Sequence, residues 1–528
     1  QEKQEELEGA AQPQRIHVVL REDLVTPFKE KKMNPGCIVV INGIVKEVPI
    51  VLRSGGLSVN FDILIEANYI EVLGESFEDI SITSETEKKI LQASKKDPLK
   101  LLTEATAPTI YGHDELKKAI VLQLFGGVRK ILEDEREVRG DSHILIIGDP
   151  GAAKTALIRY LTKLTPKWQY VSGGGGSSVK GIAAVVVRDE LLKTWTLDAG
   201  AGVLAHNGML YFDELDKMAP EERSALHEIM ESQSFTIHKA GINATLLARA
   251  TILAAANPKL GRFDIFEEIH KQLNLPPTLI NRFDLIFALK DKPDQDKDDK
   301  MARHILKSHR KKLEMKEKLI NNPFVEKNFA KAYIAYAKTR IFPEITDEAE
   351  EVIHKYYINL RKQGNPEDNS KSMSIPINAR YLEGIIRIAE SSARARLSPE
   401  VKQEDAQIAI EIVDFCLTQF GFDPITGKID IDRIGGVPAS KKDKFKVILG
   451  IIKEIMEKTE TSHSAEKLAS LNDVMAVCKL KGINENETEE LLFILIKSGD
   501  VYEPRSGYIS VVGTPGWTGT KSHEEKVE

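Results

Sequence analysis

Residues 148–155 read GDPGAAKT and directly follow the apolar run HILII, a pattern that predicts a strand, a phosphate-binding loop and the start of a helix. Backbone N–H groups of such a loop surround an anion, and the following helix presents the positive end of its dipole. Lys154 then reaches the β- and γ-phosphates, and Thr155 places its hydroxyl on Mg²⁺. The predicted nucleotide site consists of Gly148, Asp149, Pro150, Gly151, Ala152, Ala153, Lys154 and Thr155.

One position of this loop departs from the common pattern, which has a second glycine where this chain has Ala153. Alanine is compatible with this position if the residue already has helical dihedral angles, because only a positive φ demands glycine. We therefore expect Ala153 to be helical. A chance structural loop is the alternative interpretation of the whole segment.

A second motif, GMLYFDELDKM at 208–218, predicts a buried strand that ends in two carboxylates. Ligands of open α/β folds gather at the carboxyl edge of the sheet. There Asp213 is suited to the Mg²⁺ shell, and Glu214 to polarising the attacking water as a general base. On local grounds a surface turn is an equally good interpretation, but the position downstream of a phosphate loop favours the catalytic one.

Two further apolar strands carry polar residues at their ends. ATILAAANPKLGRF at 250–263 places Asn257 after a strand, where its amide can orient the water; the alternative is a turn-forming Asn-Pro. In LPPTLINRFDLIFAL at 275–289, Arg282 precedes a strand that we expect at the far edge of the sheet. Arg282 is then poorly placed for its own γ-phosphate but suits a neighbouring subunit's, where it would neutralise developing charge. A surface salt bridge is the alternative.

Composition limits the class of protein. The chain has 528 residues, 42% hydrophobic and 29% charged, with a net charge of −7, so any nucleic-acid contact must come from a local basic patch. Cys37, Cys416 and Cys478 are too few and too far apart for a disulfide scaffold or cysteine-ligated zinc, and fit a reducing compartment. No apolar stretch approaches the roughly 20 residues that cross a bilayer. We expect a cytoplasmic protein without a membrane partner.

The pattern of strands and helices predicts the elements that position these motifs. Strands alternate with helical stretches around the four motifs, which indicates a parallel sheet covered by helices. The predicted organisation is a partial β-barrel at 1–75, a connector at 76–105, an α/β ATPase core at 106–310, a helical lid at 311–420, a linker at 421–442, a winged helix at 443–513 and a tail at 514–528.

The four motifs in this order resemble those of AAA+ ATPases, and their details resemble the minichromosome maintenance (MCM) family of replicative helicases, archaeal type. The resemblance rests on GDPGAAKT, DELDKM, AAANPKLGRF and LPPTLINRFDLIF. That family has alanine at the position of Ala153. The likeness continues through IPINARYLEGIIRIAE in the lid and DPITGKIDIDRI in the linker, and VVINGIVKEV is similar to the family's oligonucleotide-binding (OB) barrel.

The resemblance assigns roles to individual residues. Asn257 matches the first sensor, Arg282 the arginine finger, and Arg380 in NARYLE a second sensor that acts across the subunit junction. Arg249 matches a third sensor more weakly. Lys239, in SFTIHKAGINATLL at 234–247, matches the tip of a hairpin that contacts DNA, and 182–200 resembles a second channel insertion.

What the resemblance implies as a whole is an ATP- and Mg²⁺-dependent DNA helicase subunit. It would work in a homo-oligomeric ring, most simply a hexamer, on single-stranded and forked DNA, with replication factors as further partners. The family's N-terminal helical and zinc-binding subdomains have no counterpart here, so we expect the chain to start partway through a larger protein. The alternatives are a nucleotide-binding ring component or regulator that does not unwind DNA, and a related AAA+ remodeller such as a metal chelatase.

Overall fold

A computed structural model of the chain divides it into two compact units, Gln1–Ile429 and Asp430–Glu528. The described residues are 16–25, 37–51, 57–73, 76–173, 181–182, 184–188, 195–239, 241–259, 261–263, 272–290, 295–310, 322–363, 379–419, 448, 451–452, 455–456, 469–480, 488, 492, 501–505 and 508–511. The predicted linker at 421–442 and tail at 514–528 lie outside them. Among these residues, no helix has the length and apolar character needed to cross a membrane.

The first unit begins with a three-stranded sheet of β1 His17–Val19, β2 Ile38–Val51 and β3 Leu57–Leu73, in the order β1-β3-β2. Long runs of β-branched residues favour these strands. β2 and β3 pair antiparallel with a register shift between Asn42 and Gly43. A Cβ at position 43 would lie 2.4 Å from the Glu66 carbonyl oxygen, so only glycine fits this irregularity.

The ATPase-like core follows, and its sheet confirms the predicted α/β class. Five parallel strands pair in the order Leu285–Leu289 (β14), Ile144–Gly148 (β6), Ala250–Ala256 (β13), Gly208–Asp213 (β10) and Trp168–Ser172 (β7). The elements of this region are α1 Ser84–Ala93, α2 Pro98–Ala105, α3 Asp114–Phe125, β4 Lys130–Ile131, β5 Glu137–Val138, β6 Ile144–Gly148, α4 Lys154–Leu161, β7 Trp168–Ser172, β8 Val185–Arg188, β9 Trp195–Asp198, α5 Ala201–Leu204, β10 Gly208–Asp213, α6 Pro220–Ser232, β11 Ser234–Lys239, β12 Ile242–Leu247, β13 Ala250–Ala256, α7 Pro277–Ile280, β14 Leu285–Leu289 and α8 Gln295–Arg310.

Three of the core strands, β6, β13 and β14, are almost entirely apolar because both faces of the sheet are covered there. Every residue of β6, β13 and β14 is buried. One apolar cluster on the sheet also includes Ile90 of α1 and Leu102 of α2, so the segment predicted as a connector packs into the core. Such continuous apolar strands are typical of parallel sheets between two helical layers.

A helical lid continues the same apolar cluster. Its elements are α9 Lys327–Arg340, β15 Glu344–Ile345, α10 Asp347–Gln363, α11 Ala379–Ala395, β16 Glu400–Val401 and α12 Gln403–Gln419. The buried Arg394 of α11 donates from Nη1 to the carbonyl oxygens of Phe125, Gly126 and Gly127. These bonds fix the lid helix to the end of α3.

The second unit has its own apolar cluster, which includes Ile448, Ile452, Val474 and Ile509. Its described elements are β17 Ala469–Ser470, α13 Leu471–Leu480, β18 Val501–Arg505 and β19 Tyr508–Val511. β18 and β19 pair antiparallel, with Val501 opposite Val511.

Candidate nucleotide site

The 148–155 loop joins the carboxyl end of β6 to the start of α4, as the sequence predicts. Lys154 is buried at the first position of the helix, and its ammonium donates to the carbonyl oxygens of Gly148 at 2.7 Å and Asp149 at 2.8 Å. Burial lowers the pKa of Lys154, although nearby carboxylates act in the opposite direction. The loop therefore carries a cation folded back against its own backbone.

The prediction that Ala153 has helical dihedral angles is wrong. Ala153 has φ 56° and ψ 17°, in the left-handed region, and Gly151 has φ 89°. In this region the Cβ crowds the following carbonyl oxygen, at a cost of about 1–2 kcal/mol. The turn into α4 nevertheless requires this conformation, so the loop holds an alanine where glycine would be unstrained. Such strain is found most often at functional sites.

Thr155 and Asp213 meet although they lie on different elements. The Thr155 hydroxyl donates to Asp213 Oδ2 at 2.7 Å, and the Tyr170 hydroxyl donates to the same oxygen at 3.0 Å. Burial and the neighbouring Asp213 carboxylate raise the pKa of Tyr170 to about 12. A hydroxyl and a carboxylate are the hard oxygen donors that Mg²⁺ takes from proteins in phosphate sites, so this pair fits that ion.

Glu214 follows β10 in a left-handed conformation, with φ 55°. Its Oε1 accepts a hydrogen bond from Lys217 Nζ at 2.7 Å, and this bond raises the pKa of Lys217. The backbone N–H of Glu214 donates to Asp213 Oδ1 at 3.0 Å. The two carboxylates are thus held apart, with Asp213 facing Thr155 and Glu214 facing Lys217.

Asn257 lies at the same edge of the sheet, because β13 stands between β6 and β10. Its backbone N–H donates to Asp216 Oδ1 at 2.8 Å, and the Asp216 carbonyl accepts from Arg223 Nη2 at 2.7 Å. Asp149 Oδ1 accepts from the Phe263 N–H at 2.9 Å, which connects the loop to the segment after Asn257. Asp216 is a positioning group that the sequence reading missed, although it belongs to the DELDKM motif.

Arg282 lies at the other end of the sheet. β14 is an edge strand, parallel to β6, and Leu285 pairs with Ile144 while Leu289 pairs with Gly148. Arg282 precedes the amino end of β14, whereas Lys154 follows the carboxyl end of β6. At about 3.3 Å per residue, the four steps from one end of these strands to the other span roughly 13 Å. The expectation that Arg282 faces away from its own loop agrees with this topology.

Arg282 and Arg380 share one partner, Glu231 of α6. Arg282 Nη2 donates to Glu231 Oε2 at 2.7 Å, and Arg380 Nη2 donates to Glu231 Oε1 at 3.3 Å. The hydrogen bond from Arg282 lowers the pKa of Glu231. The structure therefore brings the two predicted arginines together, through a carboxylate that the sequence reading did not identify.

The remaining predicted positions lie on hairpins or beside them. β11 and β12 pair antiparallel, with Lys239 opposite Ile242 at the turn and Gly241 at φ 80°. Within 182–200, β8 and β9 form a second antiparallel pair. Arg249 Nη2 contacts Glu137 Oε2 at 3.5 Å, and its backbone N–H donates to His206 Nδ1 at 3.2 Å.

A loop between a buried strand and a helix, an acidic pair at the end of the next strand but one in the sheet, five parallel strands and a helical lid are the features of a P-loop ATPase of the AAA+ class. Residues 86–309 match the family model of the MCM P-loop domain, and residues 328–417 match that of the MCM AAA-lid domain.

Individual proteins with similar sequences point to the same family. The minichromosome maintenance protein MCM of Saccharolobus solfataricus is 39% identical over 96% of this chain and 70% of its own length. An uncharacterized MCM-type protein of Methanocaldococcus jannaschii is 36% identical over 85% of the chain and 61% of its own length. The DNA replication licensing factor MCM4 of Arabidopsis thaliana is 37% identical over 75% of the chain and 46% of its own length. The chain belongs to the MCM family, and it spans about half to two thirds of the length of these relatives.

Proposed function

We propose that this chain is the motor part of an ATP-dependent replicative DNA helicase that works as a homo-oligomeric ring, most simply a hexamer. The observation that carries the proposal is the separation of the two halves of the site. The loop of Lys154 is at the carboxyl edge of the sheet, while Arg282 and Arg380 meet at its amino edge. A complete site then needs the arginines of a second copy.

Within one copy, the loop binds the phosphates. The backbone N–H groups of 148–155 surround the anion, and Lys154 exchanges the carbonyl oxygens of Gly148 and Asp149 for phosphate oxygens. Thr155 and Asp213 would hold Mg²⁺, which supplies charge neutralisation at the phosphates when bound. Glu214 accepts a proton from the attacking water, and Asn257 orients that water.

The adjoining copy completes the reaction. Its Arg282 neutralises the charge that develops on the transferred phosphoryl group, and its Arg380 assists from the lid. Because these groups come from another copy, hydrolysis depends on assembly and on the relative position of two subunits. That dependence couples the chemistry to movement between subunits.

DNA binding is proposed for the β11–β12 hairpin. Lys239 stands at its turn, and one such lysine from every copy would form a ring of positive charge around a channel. This arrangement is compatible with a net charge of −7, since the basic groups are concentrated in one place. The β8–β9 pair is proposed as a second channel element.

Two flanking parts complete the proposal. The sheet of β1, β2 and β3 is proposed as part of an OB-like barrel, supported by its long antiparallel pair. The second unit is proposed as a winged helix, supported by α13 and the β18–β19 pair.

Strand displacement on a forked duplex tests the proposal, with Glu214→Gln as the variant. This change removes the base but keeps the shape, so nucleotide binding persists while turnover falls about 10²- to 10⁴-fold and unwinding stops. Glu221→Gln, an exposed carboxylate of α6, is the matched control and keeps full activity. ATP-independent displacement, or wild-type ATP hydrolysis without displacement, would contradict the helicase and favour a ring component that does not unwind DNA.

A further inference from the structure

We infer that Glu231 is the positioning residue of the trans-acting site, holding Arg282 and Arg380 ready for the nucleotide of the adjoining copy. The inference rests on the proposed function and deepens it. Each oxygen of the Glu231 carboxylate accepts a hydrogen bond from one of the two arginines. A single side chain therefore sets the distance between the two guanidinium groups. Glu231 ends α6, whereas Arg282 precedes β14 and Arg380 begins α11.

Among the described residues, Glu231 is the side chain that holds the Arg282 guanidinium in place. The Arg282 side chain is only 9% exposed, and its Nε is buried without a hydrogen-bond partner in the described part of the chain. Arg282 Nη2 bonds to Glu231, which leaves the other N–H groups of the guanidinium for a phosphate oxygen. Glu231 can therefore remain bound while Arg282 acts on a ligand.

The contact also connects the lid to the core. Arg380 and Arg387 are seven residues apart on α11, which is close to two helical turns, so both lie on one face. Arg387 forms a buried ion pair with Asp284 at the start of β14. Asp284 thus fixes the middle of this helix face, and Glu231 fixes its beginning. A lid displacement that moves Arg380 would also alter the counter-charge of Arg282.

The neighbouring His227 does not substitute for Glu231. His227 lies one turn earlier on α6, and burial together with Arg282 lowers its pKa. A neutral histidine cannot balance two guanidinium groups. Glu231 and Arg380 are 53% and 51% exposed, so their ion pair contributes little to folding stability. Arg282 is only 9% exposed and loses the same counter-charge, so we expect Glu231→Ala to lower the melting temperature slightly as well as the turnover.

The experiment measures ATP hydrolysis by the full chain carrying Glu231→Ala, Glu231→Gln or the control Glu221→Gln. Misplacing the arginines by about 1 Å lowers kcat of Glu231→Ala roughly 10- to 100-fold, while KM for ATP stays unchanged. Glu231→Gln, which keeps one acceptor oxygen, falls between Glu231→Ala and the unchanged control. In a background that lacks both arginines, Arg282→Ala with Arg380→Ala, Glu231→Ala has no further effect. Wild-type or increased kcat in Glu231→Ala would overturn the inference.

Mixing an inactive variant with a weakened one separates a positioning role from a structural one. Lys154→Ala subunits lack a working loop but keep their arginines, and Glu231→Ala subunits have the opposite defect. Hydrolysis should reappear when they are mixed, as it should for Lys154→Ala with Arg282→Ala. Recovery in the second mixture alone would overturn the role of Glu231 and leave the proposed function intact. Recovery in neither would overturn the shared site itself, and Glu231 with it.

Discussion

Replacing Asp284 by asparagine tests how the lid is held on the core. Asp284 accepts hydrogen bonds from Arg139 Nη2 at 3.2 Å to both carboxylate oxygens, and from the His143 N–H at 2.8 Å. It also forms the ion pair with Arg387. The side chains of Asp284 and Arg387 are 3% and 5% exposed, so both charges are removed from water.

The expected loss of stability in Asp284→Asn follows from the interactions that remain after the substitution. The asparagine side chain would keep the shape and one acceptor oxygen. The buried charge of Arg139 would lose its ion-pair partner, and Arg387 would keep only the half-exposed Glu383, 2.8 Å away. Removing one partner of a buried ion pair costs about 3–5 kcal/mol. Since the free energy of unfolding of a domain is about 5–15 kcal/mol, this loss is a large share of the stability of the first unit.

Urea denaturation of wild type and Asp284→Asn, followed by circular dichroism, measures this loss. Glu351→Gln breaks the exposed pair between Glu351 and Lys355 and serves as the control, with no measurable change expected. A loss of less than about 1 kcal/mol in Asp284→Asn, the range of exposed pairs, would refute the reasoning that this network fixes the lid.

Two further predictions concern backbone strain and pH. Ala153→Gly relieves the left-handed strain, partly offset by the greater freedom of glycine in the unfolded chain, and should raise the unfolding free energy by about 0.5 kcal/mol in urea denaturation; a clear decrease would contradict the strain. Burial, aided by Lys167, lowers the pKa of His206 to about 4. The unfolded chain therefore takes up this proton near pH 6.5 and the folded chain only near pH 4, so stability is full above pH 6.5 and falls by about 3 kcal/mol as the pH drops to 4. His206→Gln should lack this component of the decrease, and equal pH profiles of the two proteins would refute it.

Sequence reasoning found the strands and the residues at their ends because both signals are local. β6, β10 and β13 are apolar runs bounded by polar residues, and a parallel sheet brings their carboxyl ends together. The position of Arg282 before a strand, and not after one, already indicated the opposite edge. These inferences need no knowledge of distant contacts.

The missed features depend on contacts between distant parts of the chain. Glu231 and Arg380 are 149 residues apart, and Glu231 looks like any exposed carboxylate at the end of a helix. In the sequence, Tyr170 looks like an ordinary strand residue. Its role depends on the pairing of β7 with β10, which brings its hydroxyl to Asp213. The prediction for Ala153 is wrong for another reason. Alanine favours a negative φ, but the turn into α4 requires a positive φ at this position.

The central claim is that Arg282 completes the site of another copy. Electron microscopy of the assembly with an ATP analogue and forked DNA measures the distance from the Arg282 guanidinium to the nearest γ-phosphate. The account predicts a hydrogen-bonding distance of about 3 Å to the nucleotide held by the loop of the adjoining copy. An Arg282 that contacts the nucleotide of its own chain, or no nucleotide in any copy, would contradict it.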